Sequence, residues 1–438
     1  MTIEEKYDLA QWAIDIALEN GANEAAVVIA NSSGSSIELH NEKIDKIELA
    51  IEKGLTIRLF VNNKYAAAAT NCLNKDELEF FIKETINGAQ YLSEDEYRKL
   101  PNPELYYKDG GTDLKLYDDK IEAINPDDKI KIVKSIETEI LGSDERIVSI
   151  STNYSDGYSE RVMITSNGFK GSQKSSYFSA GASVSVKSDD ARPSDGWYES
   201  STHFDNLIKS GQGKTALKRA LQKIGQEKLN SEKLPMLVEN NQVTRILSPL
   251  ISALGGAAIQ QKTSFLLDKL DQKVISEKIS IMDDPTIVGA FSSRHFDSEG
   301  LTAIKRPVFE SGVLKTYFID TYYANKMDVS PTTGSTSNLI FEEGDKNYNE
   351  IIKTMNRGIF ITGFNGGNTN PTSGDFSFGI EGFLIENGEI NTPISEMNIT
   401  GNILDLWNNV VEIGNDSDKQ SSWRTPSILF DGVDFSGI

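Results

Sequence analysis

Residues 46–70 read KIELAIEKGLTIRLFVNNKYAAAAT, and their periodicity decides the fold class. Ile47, Leu49 and Ile51 alternate with Glu48 and Glu52, then Leu55, Ile57 and Leu59 alternate with Thr56 and Arg58. A period of two places apolar side chains on one face of a half-buried strand. Turn signals at Asn41-Glu42 and Asn62-Asn63 divide Glu24 to Thr70 into successive antiparallel strands. The cover for their apolar face lies beside them in the chain. Thr2 with Glu5 forms a capping box, after which Ile3, Tyr7, Ala10, Ile14, Ala17 and Leu18 recur at helical period as far as Asn20-Gly21. Asn74 with Glu77 caps a second helix whose stripe is Leu78, Phe81, Ile82 and Ala89.

Working outward, Pro101 to Asp128 is expected to be loop and Lys129 to Leu141 a helix. Strands then return with hairpin turns at Asp156-Gly157 and Asn167-Gly168, and Ser179 to Val186 alternates small and polar residues. A helix carrying Leu217, Ala220, Leu221 and Ile224 leads to Asn230–Lys233 and Pro235, where a domain boundary is placed. The expected class is α+β: a domain over residues 1–232 with helices packed on one side of a mostly antiparallel sheet, then a larger β-rich domain over 233–438. The second domain opens with a strand at Met236 to Val238 and a helix from about Gln242, and has hairpin turns at Ser311-Gly312 and Asn387-Gly388. Ser330 to Ser377, rich in Gly, Asn, Thr and Ser, reads as long loops interrupted by a helical stretch at Tyr348 to Arg357.

Composition excludes several functions. At 438 residues, 38% hydrophobic and 25% charged, the chain can bury more than one core. Its apolar runs, such as Ile57 to Val61 and Ile246 to Leu254, are far short of the ~20 residues that cross a bilayer. The start, Met-Thr-Ile-Glu-Glu-Lys, enters a helix directly and shows no export signal. Cys72 is the single cysteine, so neither an intramolecular disulfide nor a multi-cysteine metal site can form, and a cytoplasmic location is expected. With 65 acidic against 44 basic residues, a net charge of -21 repels phosphate backbones, so no direct nucleic-acid partner is expected. The basic groups Lys129, Lys131, Lys134 and Lys214, Lys218, Arg219, Lys223 fall at helical spacing and read as solvated helix faces.

The residues that could carry chemistry are few. His40, His203 and His295 are the only histidines and no two lie within a helical turn, so each is expected to be structural. No Gly-x-Ser-x-Gly elbow accompanies them. Cys72, beside Leu73 and ahead of the Asn74 cap, is expected to be buried and inert. Asp283-Asp284-Pro285 and Asp297-Ser298-Glu299 could serve a hard cation, but turn-forming and solvent-facing roles are expected. Gly363, Gly366 and Gly367 lack the Gly-Lys-Ser/Thr of a phosphate loop.

Several dispersed blocks carry a resemblance. Lys262–Asp268, Phe296–Gly300, Gly312–Lys315, Thr372–Gly379 (TSGDFSFG), Gly382–Ile390 (GFLIENGEI) and Gly401–Leu404, with Gly54–Arg58 and Ala66–Asn71 earlier, resemble the TldD/PmbA family, also labelled "modulator of DNA gyrase", over nearly the whole chain. The resemblance implies a metallopeptidase-like fold. TldD-type members carry a zinc-binding His-Glu-x-x-x-His motif on the helix opening the C-terminal domain. The matching helix here, Gln242 to Gly256, has no histidine, glutamate or cysteine, whereas catalytic zinc needs three protein ligands, a water and a base. Val243, Ile246, Leu247, Leu250, Ile251 and Leu254 instead form a core stripe.

No catalytic, cofactor-binding or metal-ligating residue is therefore assigned, and no cofactor is expected. The resemblance implies the PmbA (TldE) branch: a non-catalytic subunit, inactive alone, that pairs with a TldD-type chain as a heterodimer, or with itself when that chain is absent. The pair would process small or unfolded peptides held in extended form. The competing expectation is a metallopeptidase in its own right with an atypical metal site.

Overall fold

The computed structural model describes residues 1–189 and 191–438. The first part of the chain runs α1 (Ile3–Glu19), β1 (Glu24–His40), β2 (Lys43–Val61), β3 (Lys64–Thr70), α2 (Lys75–Ala89), α3 (Pro126–Thr138), β4 (Ile147–Thr165), β5 (Lys170–Val186), β6 (Ser194–Ser201) and α4 (Gln212–Gln222). Its six strands form one antiparallel sheet in the order β3-β2-β1-β4-β5-β6. The alternation places Leu55, Ile57 and Leu59 on the face that α1 and α2 cover, while α3 and α4 cover the same face further along, over Ile37, Leu39, Tyr154 and Phe178. All four helices thus lie on one side. The caps behave as their residues dictate: the Thr2–Glu5 box closes reciprocally, and the Asn74 side chain accepts from the Asp76 and Glu77 amides. Asn41, Glu42, Asn62 and Asn63 take positive φ in two-residue turns that match the twist of the strands they join.

Two local expectations fail here. The helix expected from Lys129 starts at Pro126, capped by Asn125, because proline at the first helical position has no amide to satisfy. Asp156-Gly157 is no hairpin turn but the middle of β4. Asp156 is buried there as the partner of Lys129 Nζ at 2.8 Å, and a Cβ on Gly157 would meet the Tyr177 ring at 2.6 Å.

The second part runs β7 (Glu232–Val238), α5 (Val243–Ser252), α6 (Gly256–Gln260), β8 (Ile281–Asp284), β9 (Arg306–Glu310), β10 (Val313–Leu314), α7 (Thr321–Met327), β11 (Asn338–Phe341), α8 (Tyr348–Ile352), β12 (Arg357–Phe364), β13 (Asn368–Thr369), β14 (Asp375–Glu386), β15 (Glu389–Asn402), α9 (Ile403–Asn408), β16 (Val410–Ile413), β17 (Trp423–Arg424) and β18 (Ile428–Ser436). One sheet has the order β10-β9-β8-β11-β17. In the other, β7-β18-β15-β14-β12 closes on itself, since β12 pairs with β14 on one edge and in parallel with β7 on the other. The Ser311-Gly312 and Asn387-Gly388 turns form as expected.

Ser330 to Ser377, however, is not mainly loop: β11 and β12 cross it. Ile359 and Ile361 of β12 enter the core shared with α5, and Phe360 enters a separate core with Ile351 and Ile352 of α8. A strand buried on both faces has no apolar-polar alternation to reveal it. The fold is α+β with a large β-rich C-terminal part.

Candidate functional site

The helix that decides the chemistry is α5. Val243, Ile246, Leu247, Leu250 and Ile251 are its buried residues, packed in one core with Ile359, Phe378 and Phe430 of the closed sheet and Ile281, Phe309 and Phe341 of the other. The indole N–H of buried Trp407 donates to the Ile246 carbonyl at 3.2 Å. The outward face presents Arg245, Ser248 and Ser252. Arg245 donates to the carbonyls of Gly366 and Gly367 at 3.1 and 2.8 Å and lies 4.8 Å from the Phe378 ring centroid. Neither face carries an imidazole, thiolate or carboxylate. Gly366 and Gly367, at φ 77° and 97°, shape the turn after β12 that receives this guanidinium.

Beside the start of α5, a cleft of about 850 Å³ opens between the two parts of the chain. Asp195–Tyr198 and Ser200 of β6 and Arg219 of α4 line one wall; Asn240–Gln242, Thr362–Phe364, Glu381 and Asn415–Gln420 line the other. An ion-pair network crosses its floor. Arg219 meets Asp195 at 3.2 Å and Glu239 at 2.7 Å, and Lys223 meets Asp195 at 3.1 Å and Glu381 at 2.6 Å. Burial opposes the Arg219 charge, but the hydrogen bonds and field of Glu239 and Asp195 outweigh it and hold the guanidinium above its ordinary range. A Cβ on Gly363 would reach Glu381 Oε1 at 2.5 Å, so glycine at this bulge leaves room for that carboxylate. Above the floor the lining is rich in carboxamides, which both donate to and accept from peptide groups. The amide of Ser200 already donates to Gln420 Oε1 at 2.7 Å, while buried Thr362 Oγ1 has no hydrogen-bond partner.

These basic residues correct the expectation of solvated helix faces. Lys131, Lys134, Lys214 and Lys218 are exposed, but Lys129 and Lys223 are buried, and both are held by carboxylates like Arg219.

Two of the three histidines line one cavity, which their spacing hides. His40 is exposed at the end of β1, 2.9 Å from Ser151 Oγ. His203 and His295, distant in sequence, line one cavity of about 520 Å³ with Asp113, Lys115, Tyr117, Lys174 and Arg294. His295 stacks on Tyr107 with ring centroids 5.0 Å apart and planes 8° apart, and His203 Nδ1 lies 3.0 Å from Thr202 Oγ1. Three cations against one carboxylate make a field that repels a metal cation. Among the described residues, no three His, Cys, Asp or Glu side chains gather where they could hold a metal ion.

The other candidates are placed differently from expectation. Cys72 is half-exposed rather than buried, and its thiol donates to Glu77 Oε2 at 3.1 Å. Asp283 and Asp284 are not an exposed turn: they end β8, buried. Asp283 accepts from the Ser337 amide at 2.6 Å and pairs with Arg306 at 3.3 Å; Asp284 accepts from Thr286 and pairs with Lys305 at 2.9 Å. Asp297 is buried too, accepting from the amides of Glu299 and Leu301 at 2.8 and 3.0 Å, and Glu299 accepts from the Thr321 amide and hydroxyl. Burial pushes both carboxyls above their ordinary range. These are tie points of the second part, which an acidic pair in sequence cannot be distinguished from.

The sequence reading also missed an apolar cavity of about 670 Å³ whose lining includes Ile259, Leu301, Tyr317, Ile319, Met327 and Val329. These residues are too scattered along the chain for any local pattern to unite them.

Comparison with known proteins matches the chain in three segments. Family models match at residues 25–89 (PmbA/TldA metallopeptidase domain 1), 119–224 (central domain) and 231–437 (C-terminal domain). A Haemophilus influenzae protein named metalloprotease PmbA homolog is 29% identical over 431 residues, covering 97% of this chain and 95% of that protein. A crystal structure of a candidate modulator of DNA gyrase from Bacteroides thetaiotaomicron superposes with a TM-score of 0.98 at 49% identity, covering 100% of both chains. The crystal structure of TldE from Thermococcus kodakarensis shares the fold, with a TM-score of 0.84 at 20% identity over 98% of this chain and 100% of that one. The chain belongs to the PmbA/TldD family.

Proposed function

We propose that this chain is a non-catalytic, TldE-like subunit, assigned no catalytic, cofactor or metal residue, that pairs in the cytoplasm with a TldD-type zinc subunit to process small or unfolded peptides. The observation that carries this reading is α5: every side chain it buries is aliphatic, and its exposed face offers Arg245, Ser248 and Ser252. A catalytic zinc needs three ligands and a general base converging on one point. In this reading the division at residues 232 and 233 separates two units, and the cleft between them takes an extended peptide, whose backbone meets Asn240, Asn241, Asn415 and Gln420. The net charge of -21 argues against direct contact with nucleic acid.

A second reading, an autonomous metallopeptidase, draws on the convergence of His203 and His295 in one cavity and on the metalloprotease names of the relatives. The two are separated by assaying an unstructured peptide with the chain alone, a TldD-type partner alone, and the mixture. Hydrolysis that needs the partner and stops with a chelator is expected. Chelator-sensitive hydrolysis by this chain alone would establish the second reading instead.

A further inference from the structure

A chain of net charge -21 repels anions as a whole, so a cationic cavity within it is a local departure from that field. The cavity that His203 and His295 line lies at the outer edge of β5, between Ser172–Lys174, the loop through Asp113–Tyr117, and Arg294–Phe296 of the second part. β6 pairs only with Phe178–Ser185 and leaves this end of the edge open. The Ser176 amide points outward there, donating to the Leu116 carbonyl at 2.9 Å. Amides alternate in direction along an antiparallel strand, so those of Lys174 and Ser172 point outward too.

The cations of this cavity lack the partners that other enclosed cations of the chain have. Arg219, Lys223 and Arg306 meet carboxylates at 2.7, 2.6 and 3.3 Å. Among the described residues, no carboxylate is within ion-pair range of Lys115 or Arg294, and Lys174 has only Glu122, at 4.0 Å. Arg294 donates to the Ser335 carbonyl at 2.8 Å, but its Nε is buried without a hydrogen-bond partner. Behind the wall, Arg161 donates to Gln173 Oε1 at 3.1 Å and likewise has no ion pair among the described residues. Burial lowers the pKa of both guanidinia, and the field of Arg294 adds to the shift of Arg161. Asp297 acts on Arg161 from further back, opposed by Arg58, and Asp283 is held by Arg306. Lys115, Lys174, Arg161 and Arg294 thus face Asp113 and Glu122, an excess of two positive charges. That excess selects the ligand. A peptide carboxylate or a sulfate ester brings one negative charge, whereas a phosphate monoester brings about 1.5 to 2. Ammonium and guanidinium groups are the side chains that hold phosphate oxygens. A volume of about 520 Å³ is that of a small-molecule site, and Leu114, Tyr117 and Phe296 wall it for an organic part. We infer that this cavity binds a small organic phosphate monoester, its phosphoryl group held by Lys115, Lys174, Arg294 and the outward amides of β5. This depends neither on the metal-free reading of α5 nor on the peptide cleft.

Calorimetric titration of the full chain with phenyl phosphate tests it, with benzoate and phenyl sulfate as singly charged counterparts of the same ring and inorganic phosphate as the headgroup alone. One phenyl phosphate per chain is expected, bound at least about tenfold tighter than any of the other three, with affinity falling as salt is raised. Lys115 is exposed, so Lys115→Gln is expected to leave circular dichroism and the melting temperature of the free protein unchanged while weakening phenyl phosphate about tenfold. Lys174→Gln is expected to weaken it likewise, and Lys115→Arg, which keeps the charge, to retain it. Phenyl phosphate should raise the melting temperature of the wild type but not that of Lys115→Gln. Three outcomes would each overturn the inference: no binding, benzoate bound as tightly as phenyl phosphate, which would make the cavity a reader of single carboxylates such as peptide C-termini, or phenyl phosphate binding indifferent to both lysine substitutions.

Discussion

α5 and the cavity lined by His203 and His295 differ in what surrounds the polar groups each presents. The helix sits where the family resemblance leads one to look for a zinc motif, and it has been filled with Val243, Ile246, Leu247, Leu250 and Ile251. The cavity holds two of the chain's three imidazoles, yet Lys115, Lys174 and Arg294 stand around them. One place has the position without ligands, and the other has ligands in a cationic field. Metal chemistry needs both in one place, because a cation must find neutral or anionic donors that already converge.

Six substitutions sharpen or break this comparison. The largest effect is expected for Asp283→Ala at the end of β8, which leaves the largely buried guanidinium of Arg306 without its carboxylate. Stranding a buried charge costs about 3–5 kcal/mol, read as a fall in the urea midpoint. A change below about 1 kcal/mol would mean that this acid is not the tie point described. Next comes Leu250→Ala in α5, expected to cost about 2–5 kcal/mol for lost burial and the cavity left behind. Arg245→Ala and Ser248→Ala on the exposed face should stay within about 1 kcal/mol. Equal costs on the two faces would contradict the picture of a helix retained for packing. His295→Ala removes the stack on Tyr107 and is expected to cost about 1 kcal/mol, with no change in metal content by elemental analysis.

The smallest effect concerns Asp297, whose carboxyl is pushed up by burial. A group whose folded pKa is raised stabilises most below its ordinary pKa of about 4 and loses that contribution as pH rises through the folded value. Asp297→Asn keeps an acceptor for the amides of Glu299 and Leu301 but cannot ionise. Stability of the wild type relative to this variant should therefore rise as pH is lowered from neutral toward 4. An opposite slope in paired urea titrations would show the carboxylate to be stabilised, not strained, by its site.

How much of this was legible follows from which physical signals are local. β1 to β3 could be read because Leu55, Ile57 and Leu59 alternate on a sheet with one covered face, and because Asn41, Asn62 and Asn63 supply the left-handed conformations their turns need. β12 could not, since Ile359, Phe360 and Ile361 are all buried and the flanking glycines resemble a loop. Asp156-Gly157 misled for a different reason: the pair favours a turn, but Lys129, arriving from α3, makes Asp156 worth burying in mid-strand. The same nonlocality hid the ion pairs of Arg219 and Lys223, the burial of Asp283 and Asp297, and the cavity that His203 and His295 both line. That α5 carries no histidine, glutamate or cysteine was fully legible, because residue identity within one segment requires no tertiary information.

Zinc content of the isolated chain tests the central claim most directly. The protein is refolded or expressed with excess zinc, dialysed, and analysed for metal per chain, with His203→Ala and His295→Ala variants alongside. The account predicts far less than one zinc per chain in all three. One tightly held zinc in the wild type, lost from both variants, would contradict it and move the active centre from the partner's helix to this chain's own histidine cavity.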